Sequence, residues 1–167
     1  MKKKISILIG FFLTILVFRY FPHLPNFTPV LAMTFYGTLI FGRNSLIYII
    51  LAYALSDFFI GFHNQLFWTW GSLFLIGYIS AYFKTLSGRS IGIVVSSLMF
   101  FIVTNFGVWF TGSFYEPNIQ GLITCYIMAI PFFTNTLLST MIFAIFIEFF
   151  VFSKYFNFIP IIKKKHN

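Results

Sequence analysis

An aspartate inside a long apolar run is the residue of this sequence best suited to chemistry. Asp57 lies in the stretch from Tyr53 to Asn64 and is one of only three acidic residues in the chain. At helical spacing it shares a face with Tyr53, Gly61 and Asn64. An ionised carboxylate that faces lipid costs ~2.5 kcal/mol or more, so such a residue usually faces a bundle interior or a watery cavity. Two interpretations stay open: a structural aspartate that caps or pairs inside the bundle, and a member of a polar pocket.

Composition determines the class of protein that carries this aspartate. Of the 167 residues, 59% are hydrophobic and 8% are charged, whereas a soluble domain has roughly 25% charged residues. The apolar segments are long and lack the alternation of outer-membrane strands, so they predict membrane-spanning helices. We expect one all-α membrane domain over residues 1–167. The net charge of +8 lies in clusters that flank apolar segments, which is typical of membrane topology signals and argues against nucleic-acid binding.

Six crossings follow from the apolar runs and their breakers. A lysine cluster followed by an apolar run opens the chain, and the two together resemble a signal peptide. Small residues that would mark a cleavage site are missing, so we expect the first helix to stay uncleaved. The stretch from Gly121 to Phe152 is too long for one crossing of ~20 residues, and Pro131 divides it. Either an extra segment precedes the last span, or one long helix is kinked at the proline. The predicted spans are 5–21, 29–41, 46–62, 67–83, 91–110 and 132–152, with an extra helical segment at 121–130.

Basic residues indicate the orientation of this six-helix bundle. With an internal N-terminus, ten of the eleven lysines and arginines fall on the inner side, and only Arg19 falls outside. This bias predicts a multi-pass protein of the bacterial inner membrane with both termini inside. The ten inner residues are Lys2, Lys3, Lys4, Arg43, Lys84, Arg89, Lys154, Lys163, Lys164 and Lys165.

Polar side chains gather at one depth on the outer side. Asp57 and Asn105 each lie five residues before the outer end of a predicted helix, about 7 Å below the boundary. Asn135 lies in the first turn of the last span. Amides with aromatic neighbours suit a small ligand, because stacking supplies contact area and the amide supplies direction. The predicted substrate-binding residues are Asn26, Asp57, His63, Asn64, Asn105, Trp109, Tyr126 and Asn135.

Purely structural interpretations of the same polar layer also stay open. Asn105 and Asn135 suit interhelical hydrogen bonding, which membrane bundles use routinely. Trp109 also suits an interfacial aromatic belt. The inner half of the bundle carries mostly small hydroxyls and basic caps, with Glu148 as the exception.

Other chemistries have little support. The histidines show no local ligand pattern, so we expect no metal site. We find no nucleophile motif and no phosphate-binding loop, and we therefore expect neither an enzyme nor a cofactor. The single cysteine, Cys125, excludes an intramolecular disulfide.

A stripe of small residues on the first helix is a candidate contact surface. Ser6, Gly10 and Thr14 recur every four residues, and such a stripe lets another helix approach closely. It predicts either a docking face for a partner or packing against the protein's own helices.

Several motifs resemble the substrate-binding S components of energy-coupling-factor (ECF) vitamin transporters. The first half carries Asn-Phe-Thr-Pro-Val from Asn26 to Val30 at the start of a short helix and Gly42 at a turn. It continues with Leu-Ser-Asp from Leu55 to Asp57, and Gly61 at the helix end. The resemblance implies a six-helix S-component fold and a vitamin-like ligand bound near the outer face. It also implies docking on a transmembrane scaffold protein that two ATPases drive.

The second half supports the same resemblance. The segment from Tyr126 to Pro131, followed by Asn135 to Leu137, is similar to the last part of S components, and Thr104 to Trp109 resembles a family of small uncharacterised bacterial membrane proteins. The docking signature of S components, Ala-xxx-Ala on helix one, is replaced here by the Ser-Gly-Thr stripe. The alternative is a non-transporting scaffold that resembles the rod-shape-determining D type and works through protein contacts.

Overall fold

The described part of the chain is all-helical, as predicted. The computed structural model describes the backbone of residues 2–152 and the side chains of residues 9, 10 and 12–152. The side chain of Ser6 and the basic residues Lys154, Lys163, Lys164 and Lys165 lie outside this description. Within it the chain forms α1 (Lys2–Tyr20), α2 (Val30–Phe41), α3 (Ser45–Ile60), α4 (Leu66–Ser80), α5 (Leu86–Thr111), α6 (Ile119–Met128), α7 (Ile130–Ile147) and a π-helix (Glu148–Phe152).

Helix α5 begins five residues earlier than the apolar run predicted, at Leu86 instead of Ile91. The reason is a cap: Thr85 has extended backbone angles, φ −78° and ψ 161°, and its Oγ1 accepts a hydrogen bond from the Gly88 N–H at 3.0 Å. This bond satisfies one of the free N–H groups of the first helical turn. Arg89 therefore stands on the first turns of α5 and not in a loop.

Helices α6 and α7 divide the long apolar stretch, and only Ala129 separates them. Asn118 caps α6, because its Oδ1 accepts a hydrogen bond from the Gly121 N–H at 2.8 Å. Pro131 lies in the first turn of α7, where its missing N–H needs no partner within the helix. The chain thus forms two helices here and not one continuous helix.

Helix α2 lies at the centre of the bundle. Every residue from Val30 to Thr38 is buried, and α2 contacts α1, α3, α4, α5 and α7. Phe35 and Tyr36 from its middle belong to the same buried cluster as Ile76 of α4. A helix that is apolar on all faces is stable when other helices surround it. The sequence of α2 is apolar on most faces, and five helices surround it.

Much of the outer surface is apolar. Phe67 exposes 79% of its surface and Ile145 exposes 66%, and large exposed apolar areas mark contact with a membrane or a partner. Within residues 2–152, two helical stretches are long and apolar enough to cross a membrane: Leu86–Thr111, with a mean hydropathy of 2.1, and Ile130–Phe152, with 1.9. Four further apolar helices, α2, α3, α4 and α6, have between 10 and 17 residues.

Candidate functional site

The carboxylate of Asp57 is completely buried and joins three helices. Arg19 of α1 donates from Nη2 to Asp57 Oδ1 at 2.6 Å, and Trp70 of α4 donates from Nε1 to Asp57 Oδ2 at 2.7 Å. The guanidinium also donates to Ser56 Oγ and to the Tyr53 carbonyl, and it lies 3.8 Å from the centre of the Tyr53 ring. We call these five residues the Asp57 cluster. Both carboxylate oxygens have donors, as a buried charge requires.

Only part of the predicted face of α3 belongs to this cluster. Tyr53 and Asp57 are buried, but α3 ends at Ile60, and Asn64 is exposed beyond it. The helix ends there because Gly61 has a φ of 113°, a backbone angle that favours glycine. The hydrogen bonds of Asp57 match the interpretation of an aspartate paired inside the bundle, and its part in ligand binding stays a prediction.

A second group of predicted site residues lies where α5, α6 and α7 meet. The ring of Phe101 lies 5.4 Å from that of Tyr126 and 4.9 Å from that of Phe133, measured between ring centroids. Asn105 lies one turn beyond Phe101 and donates from Nδ2 to the Phe101 carbonyl at 2.8 Å. Asn135 lies two residues after Phe133, so the two side chains leave α7 on different faces. We call Phe101, Asn105, Tyr126 and Phe133 the Asn105 cluster, and it brings together two residues of the predicted site, Asn105 and Tyr126.

Trp109 and Tyr126, the two aromatic residues of the predicted site, both donate hydrogen bonds to backbone carbonyls. Trp109 donates from Nε1 to the Glu116 carbonyl at 3.0 Å, and Tyr126 donates to the Ile102 carbonyl at 2.7 Å. The buried Cys125 thiol contacts the carbonyl of Asn105 at 3.4 Å. The bonds of Cys125 and Tyr126 connect α6 to α5, and the bond of Trp109 connects α5 to the loop before α6.

The remaining site residues lie in or against loops. Asn135 donates from Nδ2 to the Pro25 carbonyl at 3.0 Å, next to Asn26, whose φ of 60° is left-handed. His63 accepts at Nδ1 a bond from a backbone N–H two residues further on, at 3.2 Å, and Asn64 is exposed. Asn135 thus anchors the loop that holds Asn26. Among residues 2–152 no group of three or more His, Cys, Asp or Glu side chains could hold a metal ion.

The stripe on α1 is open where its side chains are described. Gly10 is exposed, and apart from its chain neighbours and the adjacent backbone of α1, no atom of a described residue lies within 4 Å of the point where a Cβ would stand. The Thr14 hydroxyl donates to the Gly10 carbonyl at 2.8 Å. Docking of a partner on Ser6, Gly10 and Thr14 stays a prediction.

Sequence reasoning missed an ion pair at the start of α5. Arg89 donates from Nε to Glu148 Oε1 at 2.5 Å and from Nη2 to Oε2 at 2.9 Å. Tyr36 of α2 donates to Glu148 Oε1 at 2.7 Å, and Arg89 Nη1 donates to the Lys84 carbonyl at 2.6 Å. The ring of Phe152 lies 4.3 Å from the guanidinium carbon. We call Tyr36, Arg89 and Glu148 the Glu148 cluster.

A signal for this pair exists in the sequence. Glu148 and Arg89 both lie near the predicted inner ends of their helices, and an acidic residue in an apolar run needs a partner at its own depth. What the sequence does not show is the space beside them. A cavity of about 570 Å³ adjoins the ion pair, and its walls include Ile93 and Val94 of α5 and Ala144 of α7.

The Asp57 and Glu148 clusters lie at opposite ends of the bundle. Gln65 Nε2 donates to Thr111 Oγ1 at 3.1 Å, so the start of α4 meets the end of α5. Asp57 is bonded to Trp70 near the start of α4, whereas Arg89 stands near the start of α5. We call the two ends the Asp57 end and the Glu148 end.

Comparison with known proteins gives one family. The model of the family described as "Family of unknown function (DUF6580)" matches residues 1–158. No curated protein and no solved structure matches the chain. Because the match spans nearly the whole chain, this protein belongs to DUF6580, a family of unknown function.

Proposed function

We propose that the chain is a multi-pass protein of the bacterial inner membrane, in which α1 to α5 and α7 form six crossings and both termini are cytoplasmic. Two helices long and apolar enough to span a bilayer support this, as do the apolar side chains on the outer surface. The exposed basic residues Arg43 and Lys84 lie in loops at the Glu148 end, as the positive-inside rule requires of a cytoplasmic face. The Asp57 end then faces outward.

We infer that the protein is a binding and uptake subunit for a small vitamin-like or metabolite molecule, with its site at the Asp57 end. The observation that carries this is the Asn105 cluster, in which the Phe101 ring contacts the rings of Tyr126 and Phe133, and Asn105 stands one turn further along α5. Asn105 and Asn135 each donate one side-chain N–H to a backbone carbonyl, and their side-chain oxygens accept no hydrogen bond from any described residue. Aromatic surface beside available polar groups is the common composition of a small-ligand site.

The partner follows from the resemblance to S components. It implies a transmembrane scaffold protein with two ATPases, and the open face around Gly10 supports a docking surface on α1. The same face would serve the alternative function, a non-transporting scaffold similar to the rod-shape-determining D type. The two functions differ in one respect: a scaffold tolerates the loss of the polar side chains at the Asp57 end, and a binding protein does not.

A thermal-shift screen of the purified protein against vitamins, nucleobases and metabolites tests the binding function. A specific ligand stabilises the folded state by mass action, by about 2.7 kcal/mol at a hundredfold excess over its Kd. We expect Asn105→Ala to leave the melting temperature of the free protein nearly unchanged, because its amide bonds only a carbonyl of its own helix. The same variant should abolish the shift that the ligand causes.

Asn44→Ala is the matched control, because Asn44 is exposed and its side chain makes no capping bond. It should retain the full ligand shift. A sharp drop in the melting temperature of free Asn105→Ala, with ligand binding intact, would show that the Asn105 cluster only holds helices together.

Cysteine labelling of intact cells tests the topology. In a Cys125→Ser background, Ser87→Cys and Ser113→Cys place one thiol at each end of α5, and both positions are exposed. We expect an impermeant maleimide to label Ser113→Cys from outside and to label Ser87→Cys only after lysis. Labelling of Ser87→Cys in intact cells would reverse the orientation and move the Asn105 cluster to the cytoplasmic side.

A further inference from the structure

The cavity at the Glu148 end is separate from the Asn105 cluster and has its own chemistry. Its volume of about 570 Å³ falls in the range of roughly 300–1,000 Å³ that small-molecule sites occupy. It lies between α5, α7 and the π-helix, with Tyr36 of α2 also in its wall. It therefore has the size and the enclosing elements of a binding site.

The walls of the cavity are divided into two parts. Ile93, Val94, Met141 and Ala144 supply an apolar part, and the polar groups are those of the Glu148 cluster and Ser90. The Ser90 hydroxyl donates to a carbonyl of its own helix, at 3.1 Å, which leaves the Glu148 cluster as the main polar partner. A molecule that fits both parts is mostly apolar with one polar end.

The charges of the cluster define that polar end. Arg89 and Glu148 are joined by two hydrogen bonds and balance each other, so a charged head would have no counter-ion and would be costly to bury. An arginine has five N–H groups, and three of those on Arg89 donate to Glu148 and to the Lys84 carbonyl. The Tyr36 hydroxyl is a further hydrogen-bond partner of the guanidinium, which leaves at least one N–H with no acceptor among the described residues. The head is therefore uncharged and carries an oxygen that accepts a hydrogen bond.

The rim of the cavity indicates how such a molecule enters. Val94 and Met141 both line the cavity and remain 44% and 43% exposed, so the apolar wall continues onto the outer surface of α5 and α7. In the proposed topology that surface faces lipid tails, and the start of α5, where Arg89 stands, lies at the depth of the head groups. Entry from the lipid needs no passage through water.

The π-helix adds an independent sign of function. It begins at Glu148 and ends at Phe152, and both residues line the cavity. Wide helical turns of this kind occur frequently at functional sites.

We propose that this cavity binds an uncharged amphiphile from the membrane, with its hydroxyl or carbonyl oxygen at the Glu148 cluster and its hydrocarbon chain between α5 and α7. The proposal rests on the membrane location of the protein and not on uptake at the Asp57 end. It adds a lipid site to the binding function proposed above.

Photolabelling tests the proposal. The protein in lipid nanodiscs is exposed to a long-chain fatty alcohol that carries a diazirine and an alkyne, and the labelled peptides are identified by mass spectrometry. We expect saturable labelling of peptides from the first half of α5 and the second half of α7. Unlabelled fatty alcohol should compete, and a fatty acid or an alkylamine of equal length should compete poorly.

Two tryptophan variants separate the cavity from the general lipid surface. Val94→Trp closes the rim and should lower the saturable labelling about tenfold, which corresponds to ~1.4 kcal/mol. Leu98→Trp is the matched control, because Leu98 lies one turn further on α5 with a similar exposure of 45% and does not line the cavity. If both variants were labelled equally and without saturation, the labelling would report only general contact with lipid, and the proposal would be overturned.

A charge variant tests the nature of the head group. Glu148→Gln leaves Arg89 without its counter-ion, so the fatty acid should become the better competitor, which a purely structural ion pair would not bring about. Competition by fatty acid that equals the alcohol in the unaltered protein would overturn the uncharged head. Asn105→Ala should leave the labelling unchanged, so that loss of the site at the Asp57 end and loss of the lipid site remain distinguishable.

Discussion

The two ends of the bundle each hold one arginine–carboxylate pair, and their surroundings differ. At the Asp57 end the carboxylate side chain is 0% exposed and the Arg19 side chain is 12% exposed, with Trp70 as an additional donor. At the Glu148 end the carboxylate side chain is 21% exposed, the Arg89 side chain is 11% exposed, and a cavity adjoins both. An arginine–carboxylate pair is thus enclosed by packed helices at the Asp57 end, and a pair of the same type borders a cavity at the Glu148 end.

This difference shows which of the two pairs has open space beside it. The two side-chain partners of Asp57 stand on packed helices, Arg19 on α1 and Trp70 on α4, so the carboxylate connects α3 to both of them. Glu148 stands on a π-helix beside unfilled volume, where a ligand can reach the pair. In the sequence the two residues look alike, because each is an acid a few residues before the end of an apolar run, and only the packing around them distinguishes the two pairs.

The largest effect should come from removing one partner of the closed pair. Arg19→Ala leaves the Asp57 carboxylate buried without its counter-ion, and breaking a buried pair in this way costs ~3–5 kcal/mol. The free energy of unfolding in detergent, measured by denaturant titration, checks this. Arg43→Ala is the matched control, because Arg43 is an exposed arginine and its loss should change stability by less than ~1 kcal/mol.

The double variant Arg19→Met with Asp57→Leu refines the same test. Replacing a whole buried pair by apolar side chains is often neutral, so the double variant should be more stable than Arg19→Ala alone. A small loss in Arg19→Ala would mean that water reaches Asp57, and the contrast between the two ends would disappear.

A smaller effect is expected from a methyl group added at the Asp57 end. A Cβ on Gly107 of α5 would stand 2.2 to 2.6 Å from atoms of the Trp68 ring of α4, and crowding of this kind costs ~1–3 kcal/mol. Gly107→Ala should therefore lower the melting temperature. Gly71→Ala is the control, since a Cβ on Gly71 would have no atom within 4 Å apart from its chain neighbours and the adjacent backbone of α4, and alanine there should stabilise α4 by ~0.5–1 kcal/mol. Equal effects would show that the Asp57 end is loosely packed.

The smallest effect should come from the open pair. Tyr36→Phe removes one donor from Glu148, but Arg89 keeps both of its bonds to that carboxylate, so the loss should be ~0.5–1.5 kcal/mol. Tyr48→Phe, at an exposed position of α3, should change nothing in the same thermal melt. If Tyr36→Phe proves as damaging as Arg19→Ala, the Glu148 end is a closed structural core and not a cavity.

The all-helical class and the approximate helix positions could be predicted, because apolar runs and prolines are local features. The start of α5 could not be placed correctly, since the prediction followed hydropathy and a capping threonine, Thr85, extends the helix through polar residues. The pairing of Arg19 with Asp57 was also out of reach. The two residues lie 38 positions apart, and their contact depends on how α1 and α3 are rotated against each other, which apolar periodicity does not determine in helices that are apolar on most faces.

The candidate site shows the same limit. A shared depth for Asp57, Asn105 and Asn135 follows from helix direction alone, but depth leaves open which residues touch. In the structure Asp57 bonds to Arg19 and Trp70, Asn105 bonds to the Phe101 carbonyl, and Asn135 bonds to the Pro25 carbonyl. The cavity beside Glu148 depends on side chains from three helices and the π-helix, and no single stretch of sequence carries its signal.

The central position of α2 has a consequence for synthesis of the chain. Tyr36 leaves the ribosome 112 residues before Glu148, its hydrogen-bond partner on the last described element. Until α7 follows, the side of α2 that α7 covers has no protein neighbour, and the tyrosine hydroxyl has no carboxylate. Nascent chains that stop before α7 are therefore unfinished at their centre, and we expect membrane quality-control proteases to degrade them sooner than chains that have lost only residues after Phe152.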